Sequence, residues 1–156
     1  MKPYNPNFRS CRRGVEIVEF ALILPVVLAV LMAILEAGFM VKNHLTVANA
    51  TRDGVRYAAL GNSQESTRTR ITNGLGTLGT SATNAQITFE QTADKTSATP
   101  AYMAWPADAT TGKNGVPVGN IIRIRVSYPH QPLTGFFSFM KNRNVATAVT
   151  MLREAN

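Results

Sequence analysis

Residues 12 to 41, RRGVEIVEFALILPVVLAVLMAILEAGFMV, limit what this chain can become more than any other stretch. From Phe20 to Leu35 no residue is charged, and apolar character extends outward to Val15 and Val41, interrupted only by Glu16, Glu19 and Glu36. A helix needs about 20 mainly apolar residues to cross a hydrocarbon layer roughly 30 Å thick, and this run meets that length. Leu, Ala, Val, Ile and Met occupy every side of it, so no polar face is left to lie against water. Such a helix belongs in lipid or among other apolar helices. Pro25, inside the run, deletes one backbone hydrogen bond and crowds the carbonyl of the preceding turn. That predicts a kink or loosened turn from Leu22 to Pro25.

Glu19 needs an explanation, because an ionised carboxylate at the edge of a membrane is costly unless it finds a partner or reaches the interface. Two readings compete. In the first, Glu19 marks the interfacial end of the helix, where a carboxylate in the first turn also meets the positive end of the helix dipole. In the second, the chain is cut after Gly14 and Val15 gains an α-ammonium four residues before Glu19. Positions i and i+4 meet on one helix face, so the new cation would neutralise the carboxylate within a subunit or across to a neighbour.

Gly14 followed by Val15-Glu16-Ile17-Val18-Glu19-Phe20 resembles the processing site of type IV prepilins and pseudopilins, in which a dedicated peptidase cuts after the glycine and the fifth mature residue is glutamate. The run Glu-Phe-Ala-Leu-Ile-Leu-Pro, then Glu36 and Gly38, then Arg52-Asp53-Gly54-Val55-Arg56-Tyr57-Ala58, is similar to the TadE-like minor pilins of the tight-adherence pilus system. The likeness covers Arg12 to about Gly61. It implies a processing site at Gly14 and Val15, an assembly role for Glu19 and Phe20, and a set of partners: a prepilin peptidase, other pilin or pseudopilin subunits, an inner-membrane assembly platform and the lipid bilayer.

The formal charge of +7 suggests an acidic partner such as nucleic acid, but Lys2, Arg9, Arg12 and Arg13 all precede Gly14. Without those four charges +3 remains, so the case for a polyanionic partner weakens and no nucleic acid is expected. The same charges flank the apolar run on one side only. Short segments rich in Lys and Arg stay cytoplasmic, which places residues beyond about Val41 outside, with the span in the inner membrane. Cys11, the only cysteine, also precedes Gly14. A mature exported domain would form no disulfide and would rest on its apolar core. A secretory signal competes weakly: its apolar part is typically about 7 to 15 residues long, and Lys42, Asn43 and His44 separate Ala48-Asn49-Ala50 from the run here.

The expected organisation is a basic leader at 1–14, a transmembrane helix at 15–41, its extracytoplasmic continuation at 42–61 and a small exported α+β domain at 62–156. Beyond the span, Val41, Leu45, Ala48, Val55 and Ala59 recur at spacings of three and four, with Arg52 filling the gap, which predicts an amphipathic continuation of the helix. Gly61 and Asn62 would stop it. Arg52, Asp53 and Arg56 read as a solvated face in preference to a site for an acidic partner. Asn62 with Glu65 resembles a capping box for a short helix reaching about Asn73, and Arg68 and Arg70, two apart, share no helical face. Residues 74–83 read as loop. Ile87 and Phe89 alternate with Thr88 and Glu90 as in a strand. Residues 92–119 are long and unpatterned for a connection; Tyr102, Met103 and Trp105 within it are expected to dock on the sheet as a satellite core, the alternative being an aromatic contact to a neighbouring subunit or surface. In 120–128, Ile122, Ile124, Val126 and Tyr128 take one face and Arg123, Arg125 and Ser127 the other. Leu133 to Met140 concentrates three phenylalanines, read as core under a turn or as an assembly surface. Lys141 to Asn144 reads as a polar turn and Val145 to Leu152 as a last strand. The fold class is therefore α+β: a long N-terminal helix whose outer half packs on a small antiparallel sheet.

Catalytic chemistry has no visible carrier. His44 and His130 stand apart, no cluster has metal-ligand spacing, and GxSxG, P-loop and GxGxxG motifs are absent. No cofactor is expected and an enzyme is not. The leading reading is a structural minor pilin or pseudopilin, trimmed after Gly14 and packed by its helix into or onto a pilus used for surface attachment. The alternative is a bitopic membrane-anchored binding protein that never polymerises.

Overall fold

A computed structural model describes residues 11–78, 84–106, 108, 112–132 and 143–154, with backbone alone for residues 11–13. The leader before Cys11, the phenylalanine-rich segment 133–140 and the polar pair 141–142 lie outside the described residues. The elements in chain order are α1 (Cys11–Ala59), α2 (Gln64–Gly74), β1 (Gln86–Thr92), β2 (Met103–Ala104), β3 (Ile121–Pro129) and β4 (Asn144–Leu152). Contacts divide the chain into two units, Met1–Gly38 and Phe39–Asn156.

In the first unit the described residues form one helical stretch of α1. It stays helical through Pro25, so the hydrogen bond lost there does not end it. Its large apolar side chains are exposed on every side, from Val15 and Ile17 through Phe20 and Leu22 to Leu35. Glu36 is the exception, with 1% of its surface exposed and a bonding partner.

In the second unit the outer part of α1 and α2 pack on a four-stranded antiparallel sheet of order β2-β1-β3-β4. The alternation read in β3 holds: Ile122, Ile124, Val126 and Tyr128 are buried toward the helices while Arg125 is exposed. Val47, Ala50, Val55 and Ala58 of α1, Ile71 of α2 and Leu75 at its C-cap, Phe89 of β1, those four β3 residues, and Val145 of β4 make one core. Fully burying a large aliphatic or aromatic side chain contributes about 1.5 to 3 kcal/mol, and this apolar core is what a unit without cysteine rests on.

The helical face toward this core overlaps the one the apolar spacing predicted: Ala48, Val55 and Ala59 are buried as expected, Val41 and Leu45 are exposed, and burial extends to Val47, Ala50, Thr51, Gly54 and Ala58. The sheet and α2 select small side chains here because those allow close approach. A Cβ on Gly54 would collide with the Ile71 side chain, and one on Gly74 would come within 3.0 Å of the Ala50 Cβ.

Three further expectations shift. The cap of α2 is Ser63, whose side chain accepts from the Ser66 backbone N–H at 3.1 Å, because Asn62 is engaged elsewhere, donating to the Tyr57 carbonyl. The 92–119 connection contains β2, a two-residue edge strand. Trp105 joins the main core and no satellite: its ring lies 4.9 Å from that of Phe89 and its indole N–H donates to the Glu90 carbonyl at 2.8 Å. Met103 remains exposed.

Candidate functional site

The residues singled out for function lie along the first unit. Gly14, Val15, Glu16, Glu19 and Phe20 are all exposed. A Cβ placed on Gly14 would meet nothing within 4 Å, so among the described residues no contact asks for glycine there, although glycine inside a helix costs about 1 kcal/mol against alanine. Glu16 and Glu19 flank Val15, Ile17, Val18 and Phe20, all exposed apolar side chains. The stretch thus offers a ring of bare aliphatic surface with carboxylates at one end. Chemically this arrangement can insert into lipid or pack on other apolar helices, and a cation placed one turn before Glu19 would sit on the same face.

The second unit has a different centre, which sequence reasoning missed. The last carbonyls of a helix lack intrahelical donors, and the end of α1 is closed by groups drawn from three parts of the chain. The Tyr57 carbonyl accepts from the Asn62 side chain at 2.7 Å. The Ala58 carbonyl accepts from the Gly61 N–H and from the Asn114 side-chain amide, each at 2.9 Å. The Ala59 carbonyl accepts from the Glu154 N–H and from Nη1 of Arg153, each at 3.0 Å. Arg153 also donates to the Asn114 side-chain oxygen at 3.3 Å and to the Glu154 carbonyl. Arg153 is buried, with 6% of its surface exposed, and the negative end of the helix dipole compensates the charge there. Gly61 makes room: its φ of 94° is left-handed, and a Cβ on it would strike the guanidinium. A single arginine in a C-terminal polar run has no distinguishing pattern, which is why only the fold reveals it.

Several other arginines make side-chain contacts. Arg70 pairs with Asp53 at 2.7 Å and lies over the Tyr57 ring; the hydrogen bond to Asp53 holds its pKa above the ordinary arginine value. Both partners are half exposed, so the pair adds little stability. Arg68 lies over Phe89. Arg123 pairs with Glu90 and stacks on Tyr102, 3.4 Å from the ring centroid. Arg52 and Arg56 are exposed, as the solvated-face reading expected. His130, read as an ordinary polar residue, is fully buried and bonded to the Asn43 amide at 3.3 Å; His44 is exposed. Among the described residues no group of three or more His, Cys, Asp or Glu side chains gathers as a metal site.

A long apolar helix, bare over its first part and carried into a small α+β unit over its second, defines a class of chain able to span a membrane once and present a domain beside it. Within that class the comparison is specific: residues 14–56 match the family described as TadE-like protein. The match starts at Gly14 and ends at Arg56, inside the Arg12 to Gly61 stretch on which the resemblance was read, and bears that resemblance out over those residues. No curated protein and no solved structure matches the chain.

Proposed function

We propose that this chain is a structural minor pilin of the TadE-like kind, anchored by α1 in the inner membrane with residues beyond Val41 outside, and acting by assembly without catalysing a reaction. The observation that carries the reading is the coincidence of the family match with the helix whose apolar side chains are bare. Gly14 supports processing, since nothing in the fold explains a glycine at that helical position. Cutting after Gly14 would leave a Val15 ammonium one turn before Glu19, and in an apolar filament core each charge would satisfy the other. The helix would leave lipid at little cost because neighbouring subunit helices offer equivalent apolar surface. The partners are a prepilin peptidase, other pilin subunits and an assembly platform.

The test is Glu19→Ala and Glu19→Gln, each followed by intact mass, membrane fractionation and recovery in sheared pili. Both variants should be cut and anchored normally, because removing a carboxylate from the lipid edge does not hinder insertion. Both should then fail to enter pili, since breaking a buried charge pair costs about 3 to 5 kcal/mol by stranding the other charge. Assembly of both at wild-type levels would remove the charge-pair mechanism. A native protein with Met1 intact and permanently membrane-bound would instead be a bitopic anchored binding protein.

A further inference from the structure

The two edges of the sheet are treated differently. β2 closes one side with only two residues, Met103–Ala104, followed directly by Trp105 and Pro106, a blunted edge of the kind that prevents unwanted pairing. β4 forms the other side with nine residues, NVATAVTML, and among the described residues no strand lies beyond it. It contains no charged residue and no proline. Its backbone donors and acceptors on that side therefore lack each of the usual sequence safeguards against an added strand.

The side chains around the edge indicate what would be added. On the outer face the middle of β4 shows Ala146, Ala148 and Thr150, all exposed and small, with Asn144 and the larger Leu152 at its ends. Ala148 is the cross-strand partner of Arg125. Arg125 is exposed, and among the described residues it joins no ion pair, whereas its neighbour Arg123 is held by Glu90 and Tyr102. A strand beyond β4 would lie about 9.6 Å from β3 at the usual interstrand spacing. Ala148 puts only a methyl group between them, so the Arg125 guanidinium can reach over it to a side chain on the incoming strand. That side chain should carry a carboxylate, because opposite charges on one sheet face attract and like charges repel.

We propose that β4 is a strand-addition site for an extended acidic segment of a partner protein, held by the β4 backbone and selected by Arg125. A second copy of this chain does not fit. A second β4 added beside the first would bring no carboxylate to Arg125, because β4 contains neither Asp nor Glu. The proposal stands on the sheet alone and does not depend on the pilus reading.

The test uses the full chain in zwitterionic detergent with three nine-residue peptides alternating valine with glutamate, lysine or glutamine. Uniform alternation presents the same charge at every position of one face, so the outcome is independent of register. Anisotropy should show the glutamate peptide binding at least about tenfold tighter than the lysine peptide, and Arg125→Ala should shrink that ratio to about threefold or less, each tenfold corresponding to about 1.4 kcal/mol. Hydrogen exchange should show β4 amides slowed by the glutamate peptide, and a version N-methylated at alternate residues should neither bind nor protect. Equal affinity for all three peptides, an undiminished ratio in Arg125→Ala, or unchanged exchange in β4 would each overturn the proposal.

Discussion

Replacing Arg153 by methionine tests whether the closure at the end of α1 holds the second unit together. The substitution keeps an unbranched chain of similar length and removes the donors to the Ala59 carbonyl, the Glu154 carbonyl and the Asn114 side-chain oxygen. Hydrogen bonds from a charged donor contribute about 1.5 to 3 kcal/mol each, and a buried acceptor left empty costs about 1 to 3 kcal/mol. The Ala59 carbonyl keeps the Glu154 N–H, so its share is partly retained, whereas the Asn114 oxygen loses this donor. Removing a buried charge returns some desolvation energy. The net expectation is a loss of about 3 kcal/mol. With a urea slope of about 2 kcal/mol/M for a unit of this size, the midpoint should fall by about 1.5 M. Trp105 is the sole tryptophan and is packed on Phe89 in the core, so its fluorescence reports the unfolding of this unit in the detergent-solubilised full chain. Arg153→Lys should recover less than half of the loss, because a point charge cannot serve diverging acceptors as a planar fork does. A midpoint for Arg153→Met within about 0.3 M of wild type, which is about 0.6 kcal/mol, would refute the view that this arginine closes the helix end.

Gly61→Ala should destabilise the same unit by about 1 to 3 kcal/mol, since its left-handed backbone is strained for an L side chain and its Cβ would displace the Arg153 guanidinium; the urea midpoint measures it. Asp94 accepts from the Thr96 and Ser97 backbone N–H groups, which lowers its pKa. A depressed carboxylate gives stability that is present above its unfolded pKa of about 3.9 and is lost as pH falls through the folded value, so protection of the Thr96 and Ser97 amides relative to their intrinsic exchange should fall only in acid, and Asp94→Asn should abolish that dependence. Gly14→Val should leave the precursor uncut while the helix forms normally, since a side chain there meets nothing in the fold; intact mass and circular dichroism of the purified chain read the two effects separately.

Much of the fold was legible because it follows from periodicity. The uncharged run from Phe20 to Leu35 specified α1, and the alternation from Ile121 to Tyr128 specified β3 and its buried face. What was not legible depends on pairings between distant residues. β2 has only Met103 and Ala104 and no pattern of its own; it exists because Glu90 and Gln91 of β1 are already in place to pair with it. Asn114 and Arg153 look like any polar residues in a loop and a tail, and their roles appear only when the fold brings Ala58 and Ala59 to them. The capping error at Asn62 has the same origin: a nearer acceptor, the Tyr57 carbonyl, takes its side chain and passes the cap to Ser63.

The composition of α1 explains how one helix can serve two kinds of surrounding. From Phe20 to Leu35 it is mostly Leu, Val, Ile and Met, side chains that project far from the backbone and suit packing against lipid tails or other aliphatic helices. Its buried face beyond residue 46 is Val47, Ala50, Thr51, Gly54, Val55 and Ala58, where short side chains bring the helix axis close to Ile71 and the sheet. The Thr51 hydroxyl, fully buried, is satisfied by the Val47 carbonyl at 2.7 Å, so even the polar member of that face asks nothing of its neighbours. Large residues on this face would hold the sheet away, and small residues in the first stretch would bury too little area to favour an apolar surrounding. The change in side-chain size along a single unbroken helix therefore accompanies the change in polarity that begins at Lys42: an all-round apolar surface gives way to one narrow buried face flanked by Arg52, Asp53 and Arg56.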